Sequence, residues 1–279
     1  GIQGYTSTDH LDVFNFYSPG NSTNQGNLTA VRHGGGAASD GSRAVFAGGN
    51  MGPPGNWAPG NLMDYIEISS NSNATEFGDL FQSRMNRLAG MSDSVRGVFG
   101  GGQTSTNYPS ATDMIDYVTI ATPGNALEFG ALNTPRQEIG GCSDGASRGV
   151  WAGGQYTSTA ATTLIDYVTM STPGNAATFG DLTLAGLGLQ GTSNGSSGVF
   201  GARQRQSGKY TTMDYITIAT TGNATSFGTH AYGGLGLILY AALSGNPGLN
   251  GSGKIYSQIG VSSGASTDYW NVVADDGTI

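Results

Sequence analysis

The sequence is poor in the residues that most often carry catalysis or covalent cross-links. Its 279 residues include one cysteine and three histidines, and only 11% of them are charged. The single cysteine, Cys142, excludes internal disulfides and a cysteine-based metal site. The histidines, His10, His33 and His230, stand at unrelated places without a metal-ligand spacing. We therefore expect no metal, no cofactor and no enzymatic activity.

Basic charge and long apolar segments are also scarce. Lys and Arg number 11 against 19 Asp and Glu, which gives a net charge of −8. This balance disfavours binding to phosphate backbones, so we expect no nucleic-acid partner. The apolar run Leu235–Leu243 is shorter than the roughly 20 residues that span a bilayer, so no membrane insertion is expected. Apolar residues at helical spacing are nearly absent.

What the sequence contains instead is one motif repeated about every 50 residues, together with 48 glycines and 13 tyrosines. The motif is an aspartate followed by tyrosine inside an apolar run, and its copies begin at Asp64, Asp116, Asp166 and Asp214, with a looser copy at Asp12. Repeats of this length are supersecondary units that cannot bury their faces without neighbours. The period predicts an all-β protein built of similar sheets.

Three further positions recur in register with these aspartates. A Phe-Gly pair follows four of them, at Phe77, Phe129, Phe179 and Phe227. An asparagine follows all five, at Asn21, Asn73, Asn125, Asn175 and Asn223. An arginine follows the first three, at Arg32, Arg84 and Arg136, whereas Gly186 and Gly234 take that place in the last two. Coincident registers of this kind indicate one structural unit repeated in tandem.

The third copy shows how one unit divides into four antiparallel strands. We predict these strands at Ile139–Ser143, Gly149–Ala152, Leu164–Met170 and Ala176–Leu182. Asp144-Gly145 supplies the chemistry of a hairpin turn between the first two strands.

The third strand alternates, so that Asp166 shares a face with Val168 and Met170 while Tyr167 and Thr169 lie on the other. A buried carboxylate needs donors. We therefore expect the repeated aspartates to accept hydrogen bonds from backbone amides or from Arg43, Arg96 and Arg148. The alternative interpretation is a ring of ligand-binding carboxylates.

The copies resemble kelch repeats. The likeness rests on Thr134-Pro135-Arg136, Gly140-Gly141, the run from Arg148 to Gly154, Ile165-Asp166-Tyr167 and Phe179. Phenylalanine stands where that family usually has tryptophan. The resemblance implies a β-propeller of four-stranded antiparallel blades over about residues 9–245. The turn Ala121–Ala126 and the segment Phe179–Thr183 further resemble kelch-type repeats of bacteriophage and marine viral structural proteins, such as tail-fibre or decoration proteins.

The resemblance also sets the expected domain organisation. One kelch-like propeller is expected over residues 1–261, with repeats near 9–60, 61–111, 112–161, 162–211 and 212–261. Residues 262–279 either close the ring or start a further repeat. We favour five blades, the fifth formed by N-terminal strands paired with the tail segments Leu235–Leu243 and Lys254–Val261. Six blades are the alternative, because Thr267–Trp270 resembles another third strand. The chain edges suggest a piece of a longer polypeptide.

The loops between the second and third strands vary most in length, and each contains an aromatic residue. These candidate ligand-binding residues are Trp57, Tyr108, Tyr156 and Tyr210. Binding sites concentrate on variable loops of a rigid scaffold. Aromatic faces beside Asn, Ser and Thr side chains suit sugar rings, so we expect a glycan-binding face here. The alternative is that these rings only pack beneath their loops.

We therefore predict a non-enzymatic structural or binding protein of a virion or extracellular assembly. Its partners would be other assembly proteins and cell-surface glycans, and the sequence does not define an oligomeric state. The first alternative is a purely architectural scaffold subunit. The second is a secreted carbohydrate-active enzyme, since kelch-type folds also host copper oxidases and sugar epimerases. The third is an intracellular adaptor that binds a peptide in the central channel.

Overall fold

The computed structural model describes residues 8–15, 21–53, 56–107, 109–157, 160–201, 204–205, 208–209, 211–229, 254–260 and 269–274. Every regular element within these ranges is a β-strand. In chain order the strands are β1 (Thr8–Asn15), β2 (Thr23–His33), β3 (Gly36–Ser39), β4 (Arg43–Ala47), β5 (Asn50–Met51), β6 (Ala58–Glu67), β7 (Thr75–Arg84), β8 (Ala89–Ser92), β9 (Arg96–Gly100), β10 (Met114–Thr119), β11 (Leu127–Ala131), β12 (Gly140–Ser143), β13 (Arg148–Ala152), β14 (Leu164–Thr169), β15 (Ala177–Asp181), β16 (Gln190–Ser193), β17 (Ser197–Gly201), β18 (Gln204–Arg205), β19 (Gly208–Lys209), β20 (Thr212–Thr217), β21 (Thr225–Thr229), β22 (Lys254–Gly260) and β23 (Tyr269–Ala274).

Each of the four clear repeats forms one four-stranded antiparallel sheet. Sheet 1 contains β3, β4, β6 and β7; sheet 2 contains β8 to β11; sheet 3 contains β12 to β15; and sheet 4 contains β16, β17, β20 and β21. In all four, the strands lie side by side in chain order. The predicted all-β class and the four-stranded antiparallel unit are thus confirmed, and the strands of the third copy begin and end within about one residue of the predicted bounds.

Strands from the two ends of the described chain pair in the order β23-β22-β1-β2, which we call the end sheet. The short strand β5 pairs with both β2 and β6, so the end sheet is continuous with sheet 1 in one nine-stranded sheet. Strand β22 pairs antiparallel with β1 from Leu11↔Gln258 to Asn15↔Lys254, as expected for the segment Lys254–Val261. Its other side pairs with β23. The other tail segment expected in this sheet, Leu235–Leu243, lies outside the described residues.

The hydrophobic core is divided into layers between neighbouring sheets rather than gathered in one centre. One layer packs Leu11 and Leu28 of the end sheet against Phe46 and Ile66 of sheet 1. Three similar layers lie between sheets 1 and 2, 2 and 3, and 3 and 4. Cys142 is buried in the last of these, as expected for a small apolar residue. Each sheet thus shields the face of the next one from water.

The first strands of sheets 1 to 4 are linked by a series of serine hydroxyls. Ser92 Oγ donates to the carbonyl of Ser39 at 2.5 Å, Ser143 Oγ to Ser92 at 2.9 Å, and Ser193 Oγ to Ser143 at 2.5 Å. All four serines are buried. The small side chain at this position lets the strands approach closely, and the hydroxyl satisfies a carbonyl that the neighbouring sheet would otherwise bury.

The outer turns carry a second series of contacts between sheets. The Oδ1 atom of each turn asparagine accepts a hydrogen bond from a backbone amide of the preceding sheet: Asn27 N to Asn73, Asp79 N to Asn125, Ala131 N to Asn175 and Asp181 N to Asn223, at 3.0 to 3.1 Å. The donor amide always belongs to the residue after a repeated glycine. The recurring asparagine therefore joins one sheet to the next.

Candidate functional site

Four of the repeated aspartates are fully buried between sheets: Asp64, Asp116, Asp166 and Asp214. Three of them bind an arginine that precedes their own sheet. The Nη2 atoms of Arg32, Arg84 and Arg136 lie 2.8, 2.6 and 2.6 Å from Oδ2 of Asp64, Asp116 and Asp166, respectively. The arginines are themselves almost fully buried. These pairs fasten consecutive sheets together, and their carboxylates do not face solvent.

The expected backbone donors are confirmed, whereas the expected arginine donors are wrong. Thr29 N donates to Asp64 at 3.2 Å, and Asn133 N donates to Asp166 at 3.3 Å. Arg43, Arg96 and Arg148 instead lie over the rings of Tyr65, Tyr117 and Tyr167. Because strand residues alternate, these tyrosines face away from the neighbouring aspartates, and arginines on the tyrosine side do not reach the carboxylates.

Arg43, Arg96 and Arg148 still connect sheets, through a different contact. Their Nη1 atoms donate to the carbonyls of Ile120, Met170 and Ile218 in the following sheet, at 3.1, 2.9 and 2.9 Å. Asp12, the looser fifth copy, lies in β1 between Asn24 and Ser257 and is only half-buried. The predicted structural residues therefore all lie within sheets, but Arg43, Arg96 and Arg148 have partners other than those expected.

One aspartate in the series lacks part of its hydrogen bonding. A side chain of the preceding sheet donates to Oδ1 of Asp64, Asp166 and Asp214, namely Thr29, Asn133 and Thr183. Phe81 occupies the same place before Asp116, and Asp116 Oδ1 has no hydrogen-bond partner. Burial raises the pKa of Asp116 against the opposing effect of Arg84.

We expect Phe81→Thr to raise the free energy of unfolding by about 1–3 kcal/mol, because a hydroxyl would satisfy a buried carboxylate oxygen. The Phe81 ring is 61% exposed, so its removal costs little burial. Phe81→Val is the matched control without a hydroxyl. At neutral pH the Thr variant should have a higher free energy of unfolding than the Val variant. This difference should shrink as the pH falls, because Asp116 is then protonated in both the folded and unfolded states. Urea denaturation at pH 7 and pH 3 measures it; equal stabilities of Thr and Val at pH 7 would count against this assignment.

The candidate ligand-binding aromatics lie where the second strand of each sheet leads into the third. Trp57 is half-buried, and its ring meets the ring of His33 edge-on with centroids 4.7 Å apart. Tyr156 is 45% exposed. Tyr108 and Tyr210 lie outside the described residues. Trp57 thus partly packs against its surroundings, whereas Tyr156 presents an open ring to solvent.

A small polar cavity opens on the same side as Trp57, where the first strands of sheets 1 to 3 begin. We call it the inner pocket. It has a volume of about 60 Å³ and is lined by His33, Gly34, Asn50, Asn86, Arg87 and Glu138. Asn50 lies in β5, and the others lie in the segments that precede the first strands of sheets 1, 2 and 3. The sequence analysis did not single out any of them as a pocket residue.

Backbone hydrogen bonds hold the pocket wall together across the sheets. Arg87 N donates to Gly34 O at 2.9 Å, Glu138 N to Asn86 O at 3.0 Å, and Gly188 N to Glu138 O at 2.9 Å. The sheets are therefore joined at this end as well as through the serines at the other end of the inner strands. The pocket wall is consequently part of the rigid scaffold rather than a free loop.

Side chains of the inner pocket form a network of opposite charges and amides. Asn50 and Asn86 bind each other through Asn50 Nδ2 to Asn86 Oδ1 at 3.1 Å and Asn86 N to Asn50 Oδ1 at 2.9 Å. Arg87 Nη1 lies 3.7 Å from Glu138 Oε2. Burial, with a contribution from Arg87, lowers the pKa of His33 to about 4, so its imidazole is neutral at pH 7. The pocket carries one positive and one negative group and no net charge.

Three residues of the pocket have an unfavourable backbone conformation. Asn86, Arg87 and Glu138 have φ angles of 55°, 59° and 55°, where the equivalent segments of sheets 1 and 4 use Gly34 and Gly188. This left-handed region disfavours residues with a Cβ. One local feature of the sequence points to this pocket. The second copy has one more residue than the others between the repeated arginine and the inner serine, and that insertion places both Asn86 and Arg87 at the pocket.

Metal sites and membrane spans were sought in the part of the chain that the structure describes. No group of three or more His, Cys, Asp or Glu side chains there is arranged to hold a metal ion. The described residues also contain no helix suited to crossing a bilayer.

Comparison with known proteins gives no family: no protein-family model matches the chain, and no curated protein matches it. The functional argument therefore rests on the residues of the site itself, as it must when a fold alone hosts many activities.

Proposed function

We propose that this chain is a non-enzymatic binding module of a virion or other extracellular assembly, and that its loop face binds glycans. The observation that carries the proposal is that Trp57 packs against His33 of the inner pocket, while the exposed Tyr156 directly follows Gln155, which bonds the pocket residue Glu138. Aromatic faces beside amide and charged groups offer sugars both apolar contact and hydrogen bonds. The kelch-like repeats and the low charge of the chain support an exposed, sheet-based scaffold.

We further propose that the scaffold is a kelch-like propeller of five blades, with the end sheet as the fifth. Two observations support it. Strands from both chain ends pair within the end sheet, and contacts run in series from β23 to β3, β8, β12 and β16. The ring would need one more junction, between sheet 4 and the end sheet. Closure would protect sheet edges and faces that otherwise invite aggregation.

A glycan array tests the adhesion proposal. We expect the wild-type protein to bind a subset of glycans, and Trp57→Ala and Tyr156→Ala each to weaken that binding by about tenfold, the value of a lost aromatic contact of about 1.4 kcal/mol. Phe227→Ala is the matched control, because this ring is also exposed, at 57%, but lies on an outer strand. If the wild type binds no glycan and no cell envelope, adhesion is wrong and an architectural role replaces it.

A further inference from the structure

We propose that the inner pocket is a subsite for the vicinal hydroxyl groups of a terminal hexose, gripped between Arg87 and Glu138. This inference rests on the proposed glycan-binding function and names the chemistry of its central contact. The guanidinium can only donate hydrogen bonds and the carboxylate can only accept them. A hydroxyl group does both, so two adjacent hydroxyls would satisfy both side chains together.

The geometry of the charged pair supports an uncharged, hydroxylated ligand. Arg87 and Glu138 are 16% and 19% exposed, and their closest atoms are 3.7 Å apart, beyond normal hydrogen-bond length. At this separation a hydroxyl oxygen can lie within hydrogen-bond distance of both groups at once. His33 is neutral, so the pocket does not favour either an anion or a cation. A net-neutral ligand with several hydroxyls matches this charge.

Two buried amides that contact pocket residues each have one polar atom without a hydrogen-bond partner. Gln137 and Gln155 are 0% and 4% exposed, and Gln137 Nε2 and Gln155 Oε1 have no hydrogen-bond partner. Gln155 Nε2 donates to Glu138 at 3.3 Å, and Gln137 Oε1 lies 3.5 Å from Asn86 Nδ2. Both amides thus border the groups that line the pocket. Buried polar atoms are nearly always satisfied, and these two belong to a network that reaches the pocket through Glu138 and Asn86, where a polar ligand would extend it.

The size of the cavity limits what enters it. By the measure in which one water molecule needs about 10–15 Å³, a volume of about 60 Å³ holds a few water molecules. The pocket therefore accommodates the hydroxyl-bearing edge of a sugar, not a whole ring. Trp57 packs against His33 at its wall, which places an aromatic surface beside the opening for the remainder of the ring.

The backbone strain supports a binding role for the side chains. Glycine would be less strained at positions 87 and 138, and it would keep the hydrogen bonds of Arg87 N and Glu138 N, which belong to the backbone. Strain of this kind gathers at ligand sites because the rest of the fold maintains it. The strained side chains therefore have a use that folding alone does not require.

The test uses Arg87→Gly and Glu138→Gly, because neither variant should unfold the protein. We expect unchanged or higher thermal midpoints, together with at least about tenfold weaker binding of methyl hexopyranosides measured by calorimetry. The probes are the methyl α-glycosides of glucose, mannose and galactose, which differ at single hydroxyls. Ser94→Gly is the matched control: Ser94 also has a positive φ, of 74°, but lies in the hairpin turn at the opposite end of the inner strand.

Each outcome decides the proposal. Loss of binding in Arg87→Gly and Glu138→Gly, with Ser94→Gly binding as the wild type does, supports it. If both pocket variants bind normally while Trp57→Ala weakens binding, the subsite is overturned and the glycan-binding function stands. If Ser94→Gly loses binding equally, the effect is not specific to the pocket and the inference is wrong. If the wild type binds no methyl hexoside, the subsite is overturned, and an empty glycan array overturns the proposed function too.

Discussion

Arg84→Ala is expected to lower the free energy of unfolding by about 3–5 kcal/mol, because it leaves a buried carboxylate without its cation. Arg84 is fully buried and donates to Asp116 at 2.6 Å as well as to the carbonyls of Gly101 and Met114 at 3.1 and 2.9 Å. One substitution thus removes a donor from four acceptors between sheets 1 and 2, the fourth being the carbonyl of Phe99 at 3.3 Å. Equilibrium unfolding in urea measures the loss.

The matched control is Arg96→Ala. Arg96 also links two sheets, through a hydrogen bond to Met170 O, but it lies half-buried over the ring of Tyr117. We expect a loss of about 1 kcal/mol, the usual value of one hydrogen bond with partial cation–π contact. A larger loss in Arg96→Ala than in Arg84→Ala would restore the original sequence-based assignment of the donors and contradict the structural one.

The pH dependence gives a second signature of the Arg84 variant. Burial already raises the pKa of Asp116, and Arg84 opposes that rise. Without Arg84 the ionised carboxylate is still more unfavourable in the folded state. The folded state therefore binds a proton more readily than the unfolded one, and stability decreases as the pH rises through that range. The stability deficit of the variant should consequently shrink on acidification. A deficit that is equal at pH 4 and pH 8 would contradict this reasoning.

Gly78→Ala is the second substitution with a large expected effect, a loss of about 3 kcal/mol from strain and overpacking. Gly78 has a φ of 144°, and a Cβ built on it would strike the carbonyl of Gly124 in the outer turn of the next sheet. That turn also carries Asn125, whose Oδ1 accepts the hydrogen bond from Asp79 N. The added methyl group would therefore force the two sheets apart.

Gly124→Ala is the control for Gly78→Ala. It lies on the other side of the same contact, yet a Cβ built on Gly124 meets nothing within 4 Å among the described residues. We expect a change of less than about 1 kcal/mol. If both alanine variants are equally stable, the turn does not press on the preceding sheet as described.

The sequence was sufficient to predict the repeated sheet, because its cues are local. The alternation of Asp166, Tyr167 and Val168 and the Asp144-Gly145 turn specify strands and hairpins through short-range chemistry. The pairing of β22 with β1 was also expected, whereas its pairing with β23 was not predicted. Pairing between distant segments depends on chain topology, which local patterns do not define.

Side-chain partners across sheets were harder to predict than the sheets. The spacing identified Arg84 and Arg136 as repeat positions. It did not show that their side chains bind an aspartate of the next sheet, and Arg96 was expected as a donor instead. The inner pocket was missed for a similar reason. Its residues belong to three repeats and converge only in space, and the one-residue insertion at Asn86 and Arg87 was the sole local sign of it.

Closure of the ring, which we proposed above, is tested most directly by Gly228→Ala. Gly228 is the last repeated Phe-Gly glycine, with a φ of 141°, and no described residue, Asn21 included, lies within 4 Å of a Cβ built on it. A ring closed in solution would bring the turn of Asn21, which matches Asn125, against Gly228 as Gly124 lies against Gly78. We predict that Gly228→Ala and Gly78→Ala lower the free energy of unfolding equally, by about 3 kcal/mol. A loss of only about 1 kcal/mol for Gly228→Ala, the cost of backbone strain alone, would contradict closure.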